Sequence, residues 1–208
     1  MATGPQVSNV SSTLEQQRQM GFNGSLPEDA MHVGGPLTLL NGCKVHVRAI
    51  RPDDCARLRA FHARLSPETI HLRYFAMMAA LSEAEALHVA CVDYERRMAV
   101  VTTTVSDGEE QVIALAGYEP AGFATAEVAF VVEDSWQGHG IATHLLYVLA
   151  AYARRHGIVT FIATVMPLNA RMLGVLHHCG FPYVEYRTDC TEVRLDISVD
   201  VEVLPVLR

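Results

Sequence analysis

Lysine is almost missing from this chain: Lys44 stands alone, so arginine supplies nearly all of the positive charge. Acidic residues outnumber basic ones and leave a net charge of -7. That balance argues against a general binder of phosphate backbones, and no nucleic-acid partner is expected. An acidic surface suits a cationic ligand, but it serves solubility equally well. The five cysteines (Cys43, Cys55, Cys91, Cys179, Cys190) are odd in number and include no CxxC pair. This spacing speaks against a disulfide framework and against a zinc site, so no metal is expected. Nor is there a stretch of ~18 apolar residues able to span a bilayer. The first thirty residues lack the apolar core of a signal peptide. No membrane association is expected, and the location implied is cytoplasmic.

What is present suits one folded unit: 208 residues, half of them hydrophobic and 19% charged, are enough for a substantial core. Residues 1–41 stand apart in composition. Gly4, Pro5, Gly21, Gly24, Pro27, Gly34, Gly35 and Pro36 punctuate a polar stretch, read as a flexible N-terminal extension with a short helix over Thr13–Met20. The folded domain is placed at 42–208.

Within that domain, Val45, Val47 and Ala49 alternate with polar residues as a strand does. Pro52, with Asp53 and Asp54 behind it, suits a helix start, and Leu58, Phe61, His62 and Leu65 follow at helical spacing. Ser66-Pro67-Glu68 opens a second helix, and Ser82 with Glu85 forms the capping box of a third. Strands are expected over Met98–Val105, Val112–Tyr118 and Thr125–Val132, the first two joined by the turn Ser106-Asp107-Gly108. A long helix follows from Gly140 to Arg155, its stripe made by Ile141, Leu145, Val148, Leu149 and Tyr152. Then come a strand over Ile158–Val165, a helix over Asn169–His178, and strands at Tyr183–Tyr186 and Val193–Ile197. The order predicts an α/β (mixed α+β) fold: a central, mixed, mostly antiparallel twisted sheet with helices on both faces.

The segment Gln137-Gly138-His139-Gly140-Ile141-Ala142 carries the sharpest chemical signal. Two glycines at the mouth of a helix let backbone amides approach a ligand, and the helix N-terminus adds partial positive charge. Such a turn suits a pyrophosphate, with the amides from Gln137 to Thr143 holding it. It also suits a tight turn and nothing more. The dinucleotide pattern GxGxxG lacks its third glycine, and the triphosphate loop lacks its Gly-Lys-Ser/Thr ending.

The segment resembles the coenzyme A signature of the GNAT superfamily of N-acetyltransferases, Arg/Gln-x-x-Gly-x-Gly/Ala, here Gln137, Gly140 and Ala142. Asn169 through Gly180-Phe181 resembles the family's second motif. Val47-Arg48, Arg51-Pro52-Asp53-Asp54, Leu65-Ser66-Pro67-Glu68 and Arg73-Tyr74-Phe75 are similar to the bacterial Pat-type protein-lysine acetyltransferases. The resemblance implies acetyl-CoA as co-substrate and direct transfer of its acetyl group to a primary amine in a ternary complex. It implies that the strand ending in Phe130, Val131 and Val132 offers backbone groups to the pantetheine arm. A splay between that strand and Ile158–Val165 would admit amine and thioester. Asn169 would bond the pantetheine or cap its own helix. His139 would touch a phosphate or simply face solvent, and Trp136 would anchor the loop on the core.

An amine with a pKa of ~10.4 must lose a proton before it attacks, and a carboxylate can take it. Glu127, inside the apolar run Val128–Val132, is the candidate, since desolvation there raises a carboxylate toward the useful range. The other reading is an exposed glutamate paired with an arginine. Glu133 and Glu119 come next. Many family members carry a Tyr about four residues before the Gly-Phe; here the place is taken by Leu176. His177, His178 and Cys179 are substitutes for that acid or packing residues. A covalent route through Cys179 or Cys91 has no nucleophile motif behind it.

The favoured acceptor is a protein lysine, an acyl-CoA synthetase being the kind of partner the branch implies. A small amine is the alternative, and a non-catalytic acyl-CoA sensor the rival of another class. A homodimer is expected from analogy alone.

Overall fold

Residues 26–201 are described by the computed structural model. Its framework is an eight-stranded sheet in the order β1-β2-β3-β4-β5-β6-β8-β7. The strands are β1 (Gly35–Thr38), β2 (Lys44–Ala49), β3 (Met98–Ser106), β4 (Glu109–Gly122), β5 (Thr125–Val132), β6 (Thr160–Val165), β7 (Tyr183–Arg187) and β8 (Thr191–Asp196). The helices are α1 (Glu28–Met31), α2 (Cys55–Arg64), α3 (Pro67–Tyr74), α4 (Glu83–Ala90), α5 (Ile141–Arg155) and α6 (Ala170–His177). Every ladder is antiparallel except β5 with β6, so the mixed, mostly antiparallel sheet read from the sequence is the one observed.

The local signals act as expected at several boundaries. The Ser66 hydroxyl accepts from the Thr69 amide at 3.1 Å and caps α3. Ser82 and Glu85 form the reciprocal box that starts α4. Pro52 opens a short 3-10 turn, Pro52–Asp54, that feeds α2. The stripe of α5 is buried through Ile141, Leu145, Leu149 and Tyr152, and the helix packs on β3, β4 and β5.

At the N-terminus the structure differs from the sequence reading. Residues 26–41, assigned there to the extension, carry α1 and the edge strand β1, which pairs with β2 from Gly35↔Val47 to Thr38↔Lys44. Ala30, Val33, Leu37 and Leu39 are buried in the common core, so the folded unit begins ahead of Gly42. The Gly34-Gly35-Pro36 run that looks like linker has a packing reason. A Cβ on Gly34 would lie 2.4 Å from the Val47 carbonyl oxygen, and its φ of 84° is one that glycine accepts. The helix expected over Thr13–Met20 lies outside the described residues. β4 also runs longer than expected, and its register shifts between Pro120 and Gly122, where proline has no N–H for the ladder.

Candidate active site

The parallel pair at the centre of the sheet makes the site. β5 and β6 are joined only from Thr125↔Thr160 to Glu127↔Ile162. Beyond that point both strands, Val128–Val132 and Ala163–Val165, line a cavity of about 910 Å³. The volume lies within the range of sites for sizeable organic ligands. The splay expected between these strands is therefore present, and it leaves backbone groups on one side of β5 without a neighbouring strand.

Of the residues singled out in sequence, Glu127, Phe130, Val131, Val132, Gln137, Gly138, Gly140, Ile141, Ala142, Thr143 and Asn169 all line this one cavity. His139 does not; its carbonyl accepts from the Leu40 amide at 3.5 Å, tying the loop to the β1–β2 turn. Gly138 and Gly140 take φ of 79° and 88°, values that turn the chain into α5 and suit glycine. Among the described residues no side chain caps α5, and the residues of its first turn, Ile141, Ala142 and Thr143, line the cavity. That is the physical basis of an anion site at a helix start. Trp136 is partly buried and packs on the core, as its anchoring role requires.

Gln137 does more than precede the glycines. Its Nε2 donates to the Val132 carbonyl at 3.0 Å and to Thr69 Oγ1 at 3.1 Å, while Arg171 Nη1 donates to its Oε1 at 2.5 Å. One side chain thus braces β5, α3 and α6 around the cavity. Asp134 makes a second tie, accepting from Ser66 N at 2.9 Å, Ser66 Oγ at 2.7 Å and Thr69 Oγ1 at 2.7 Å. Asn169 Oδ1 accepts from the Met172 amide at 3.1 Å and caps α6.

The three acids weighed as base part company here. Glu133 accepts from Arg64 Nε at 3.0 Å and Nη2 at 2.9 Å, and lies outside the cavity. Glu119 is also outside it. Contacts with His88 and then Arg97 hold its carboxyl down to about 2, so it stays ionised and engaged. Glu127 lines the cavity, and its hydrogen-bond partner among the described residues is Thr164, whose Oγ1 donates at a long 3.5 Å. The desolvation expected of it is not found: alternation along β5 leaves Glu127 exposed. Glu68 lines the cavity too, but at the first turn of α3, beside Thr69 and the loop it bonds.

The candidates for a proton donor near the thiol do not reach the cavity. Leu176 and Cys179 are fully buried, His177 Nε2 pairs with Glu185 at 2.6 Å, and His178 Nδ1 contacts the Gly174 carbonyl at 2.8 Å. Sequence reasoning missed Arg73, Tyr74, Thr164 and Arg171 as cavity residues. In the sequence Arg73 and Tyr74 stand out only as part of the Pat-type resemblance, and Thr164 and Arg171 carry no signal there. α3 ends at Phe75 in a left-handed conformation (φ 59°), uncommon for a bulky residue, and the last turn before it carries Arg73 and Tyr74 onto the cavity wall.

Residues 60–181, more than half of the 208, match the Acetyltransferase (GNAT) family. The chain is 29% identical over 157 residues to "Acetyltransferase PA5475" of Pseudomonas aeruginosa, covering 75% of this chain and 84% of that protein. The GNAT domain of S. lividans PAT superposes with a TM-score of 0.73 at 30% identity, over 83% of this chain and 99% of the other. A cAMP-binding acyltransferase from Mycobacterium smegmatis shares the fold, with a TM-score of 0.58 at 23% identity. The alignment with it takes in 93% of this chain but only 54% of the mycobacterial one. With the family matched across the segment that builds the cavity, the chain belongs to the GNAT family: it is an acetyltransferase, and its fold implies acetyl-CoA as the acyl donor.

Proposed function

We propose that this acetyltransferase moves the acetyl group of acetyl-CoA to the ε-amine of a protein lysine, by direct attack in a ternary complex with Glu127 as base. The observation that carries the reading is the position of Glu127. It is the carboxylate at the point where β5 and β6 part, lining the cavity with no charged hydrogen-bond partner among the described residues. The coenzyme's pyrophosphate would lie on the amides from Gln137 to Thr143, and its pantetheine along the unpaired side of β5. Likeness to the PAT domain supports a protein acceptor over a small amine.

In this scheme Glu127 takes one proton from the lysine ammonium. The neutral nitrogen adds to the thioester carbonyl carbon, and the tetrahedral intermediate expels coenzyme A by breaking the C–S bond. The nitrogen sheds its second proton as the amide forms, and that proton suffices for the departing thiolate. With a thiol pKa of ~8.5 the sulfur leaves without a strong acid, which fits Leu176 in place of a tyrosine. Catalysis then rests on positioning and on polarisation of the carbonyl by backbone amides.

The test is thiol release from acetyl-CoA with an acyl-CoA synthetase and a panel of small amines as separate acceptors. Turnover with the protein acceptor, lowered about 10²–10⁴-fold in Glu127→Gln while coenzyme binding persists, is the expected result. Turnover with small amines alone overturns the protein-lysine reading. A fully active Glu127→Gln removes Glu127 from the mechanism.

A further inference from the structure

The cavity holds a second charged group without an oppositely charged hydrogen-bond partner among the described residues. Arg73, in the last turn of α3, lines the wall half-buried and makes no side-chain hydrogen bond or ion pair with any of the described residues. Its guanidinium lies over the Tyr74 ring at 5.0 Å from the centroid, which covers a face but satisfies none of its five N–H donors. Burial pulls Arg73 below the ordinary arginine value, against the opposing influence of Tyr74, Glu127 and Glu119. A guanidinium taken from water without an anion to replace it is costly. It persists at a site where a ligand brings the anion.

Its place says which ligand. Thr69, at the start of α3, bonds Gln137 and Asp134 of the coenzyme loop. Arg73 is four residues further on, about 6 Å along the helix, on the side toward Glu127. The two side chains feel one another electrostatically without forming a pair. This end of the cavity therefore offers an open carboxylate and an open guanidinium together. That is the complement of an acceptor carrying an amine and a carboxylate close together.

We propose that Arg73 is the acceptor-recognition residue of this site, binding a carboxylate that lies next to the amine to be acetylated. The inference rests on the transferase reading above. The carboxylate belongs either to an acidic side chain flanking a lysine or to a free amino acid; the chemistry is shared. A charge-assisted, two-pronged contact is expected to favour such acceptors by about tenfold or more.

The experiment measures, on the full chain, acceptor binding with coenzyme A bound and turnover with acetyl-CoA. One pair of probes is a lysine peptide with Asp beside the lysine and the same peptide with Asn. The other pair is free lysine and 1,5-diaminopentane, which lacks the carboxylate. Binding of the Asp peptide should be about tenfold tighter, with the difference abolished in Arg73→Gln and partly restored in Arg73→Lys. A preference confined to free lysine over the diamine identifies the small acceptor as the source and also supports the proposal. Equal affinity within both pairs overturns it, as does a preference that survives Arg73→Gln. An unchanged coenzyme affinity in the variants shows that the cavity is intact. Absence of turnover with every amine would sink the catalytic reading while leaving the binding preference to be read on its own.

Discussion

At the scale of single residues, the chain places several charged and polar side chains where their cost has to be met locally. Arg48 is buried between Asp54, at 2.7 Å and 2.8 Å, and Glu110, at 3.0 Å from Nε and from Nη2. Burial alone would pull the guanidinium down, but its bonds to Asp54 and Glu110 hold it above the ordinary arginine value. Asp54 is fully buried and also accepts from the Arg51 amide at 2.9 Å. Removing it leaves a buried cation half-compensated, so Asp54→Ala should cost about 3–5 kcal/mol, read as a lower urea midpoint at unchanged slope. His62 is the opposite case. It is buried against Tyr74 at a ring distance of 5.7 Å, and neither ring nitrogen has a hydrogen-bond partner among the described residues. Burial lowers its pKa, against a small opposing effect from Glu85. The unfolded chain therefore takes up this proton at a higher pH than the native one does. Stability from His62 is whole above its unfolded value of ~6.5 and is lost as the pH falls through the lower folded value. His62→Phe should flatten that part of the stability profile between pH 7 and 5. A variant whose urea midpoints track the parent over that range would sink the assignment.

At the scale of elements, the site is a junction held by Gln137. Its three bonds run to β5, α3 and α6, each of which contributes a wall. Replacing it with leucine leaves the Val132 carbonyl and Arg171 without this partner and frees the walls to drift. Coenzyme affinity should fall about tenfold, since roughly 1.4 kcal/mol is a modest share of two or three bonds. Arg171→Ala, which cuts one limb of the brace, should fall in the same direction by less. Calorimetric titration with coenzyme A checks both, and an unchanged affinity in Gln137→Leu would mean that the brace has no bearing on the ligand. Much of this junction was legible in sequence at the level of the elements. β5 spans Thr125–Val132 as expected, and α5 starts behind Gly140 as two glycines and a hydrophobic stripe indicate. The bonds that join the elements were not. Thr69 to Gln137 and Asp134 to Ser66 span 68 residues each, and no local spacing encodes a contact of that length. Arg73 was seen only as part of a resemblance, because its lack of a partner is a property of the folded cavity.

For the whole molecule, the consequence lies in how the sheet is held together. β1 to β5 form one antiparallel set, and β6, β8 and β7 form another. The ladder between them has three residue pairs, from Thr125↔Thr160 to Glu127↔Ile162, extended by the Ala124 carbonyl, which accepts from the Val159 and Thr160 amides. This weak seam follows from function: a continuous ladder there would close the cavity. Sequence patterning found both sets of strands, yet it placed β1 outside the domain because its glycines and proline read as linker. A ligand filling the cavity touches β5 and β6 at once, together with α3, α5 and α6. Coenzyme binding should therefore stabilise the seam and both sets as a unit. At a hundred times its dissociation constant a ligand adds about 2.7 kcal/mol, which for a chain of this length is roughly 5–10 °C in melting temperature. Trp136, the only tryptophan, sits in the loop before α5 and lines the cavity, so its fluorescence follows the site while far-ultraviolet circular dichroism follows the sheet. The two melting curves should coincide and move upward together when coenzyme A is added. A fluorescence transition that rises alone would mean that the coenzyme orders its loop without bridging the seam.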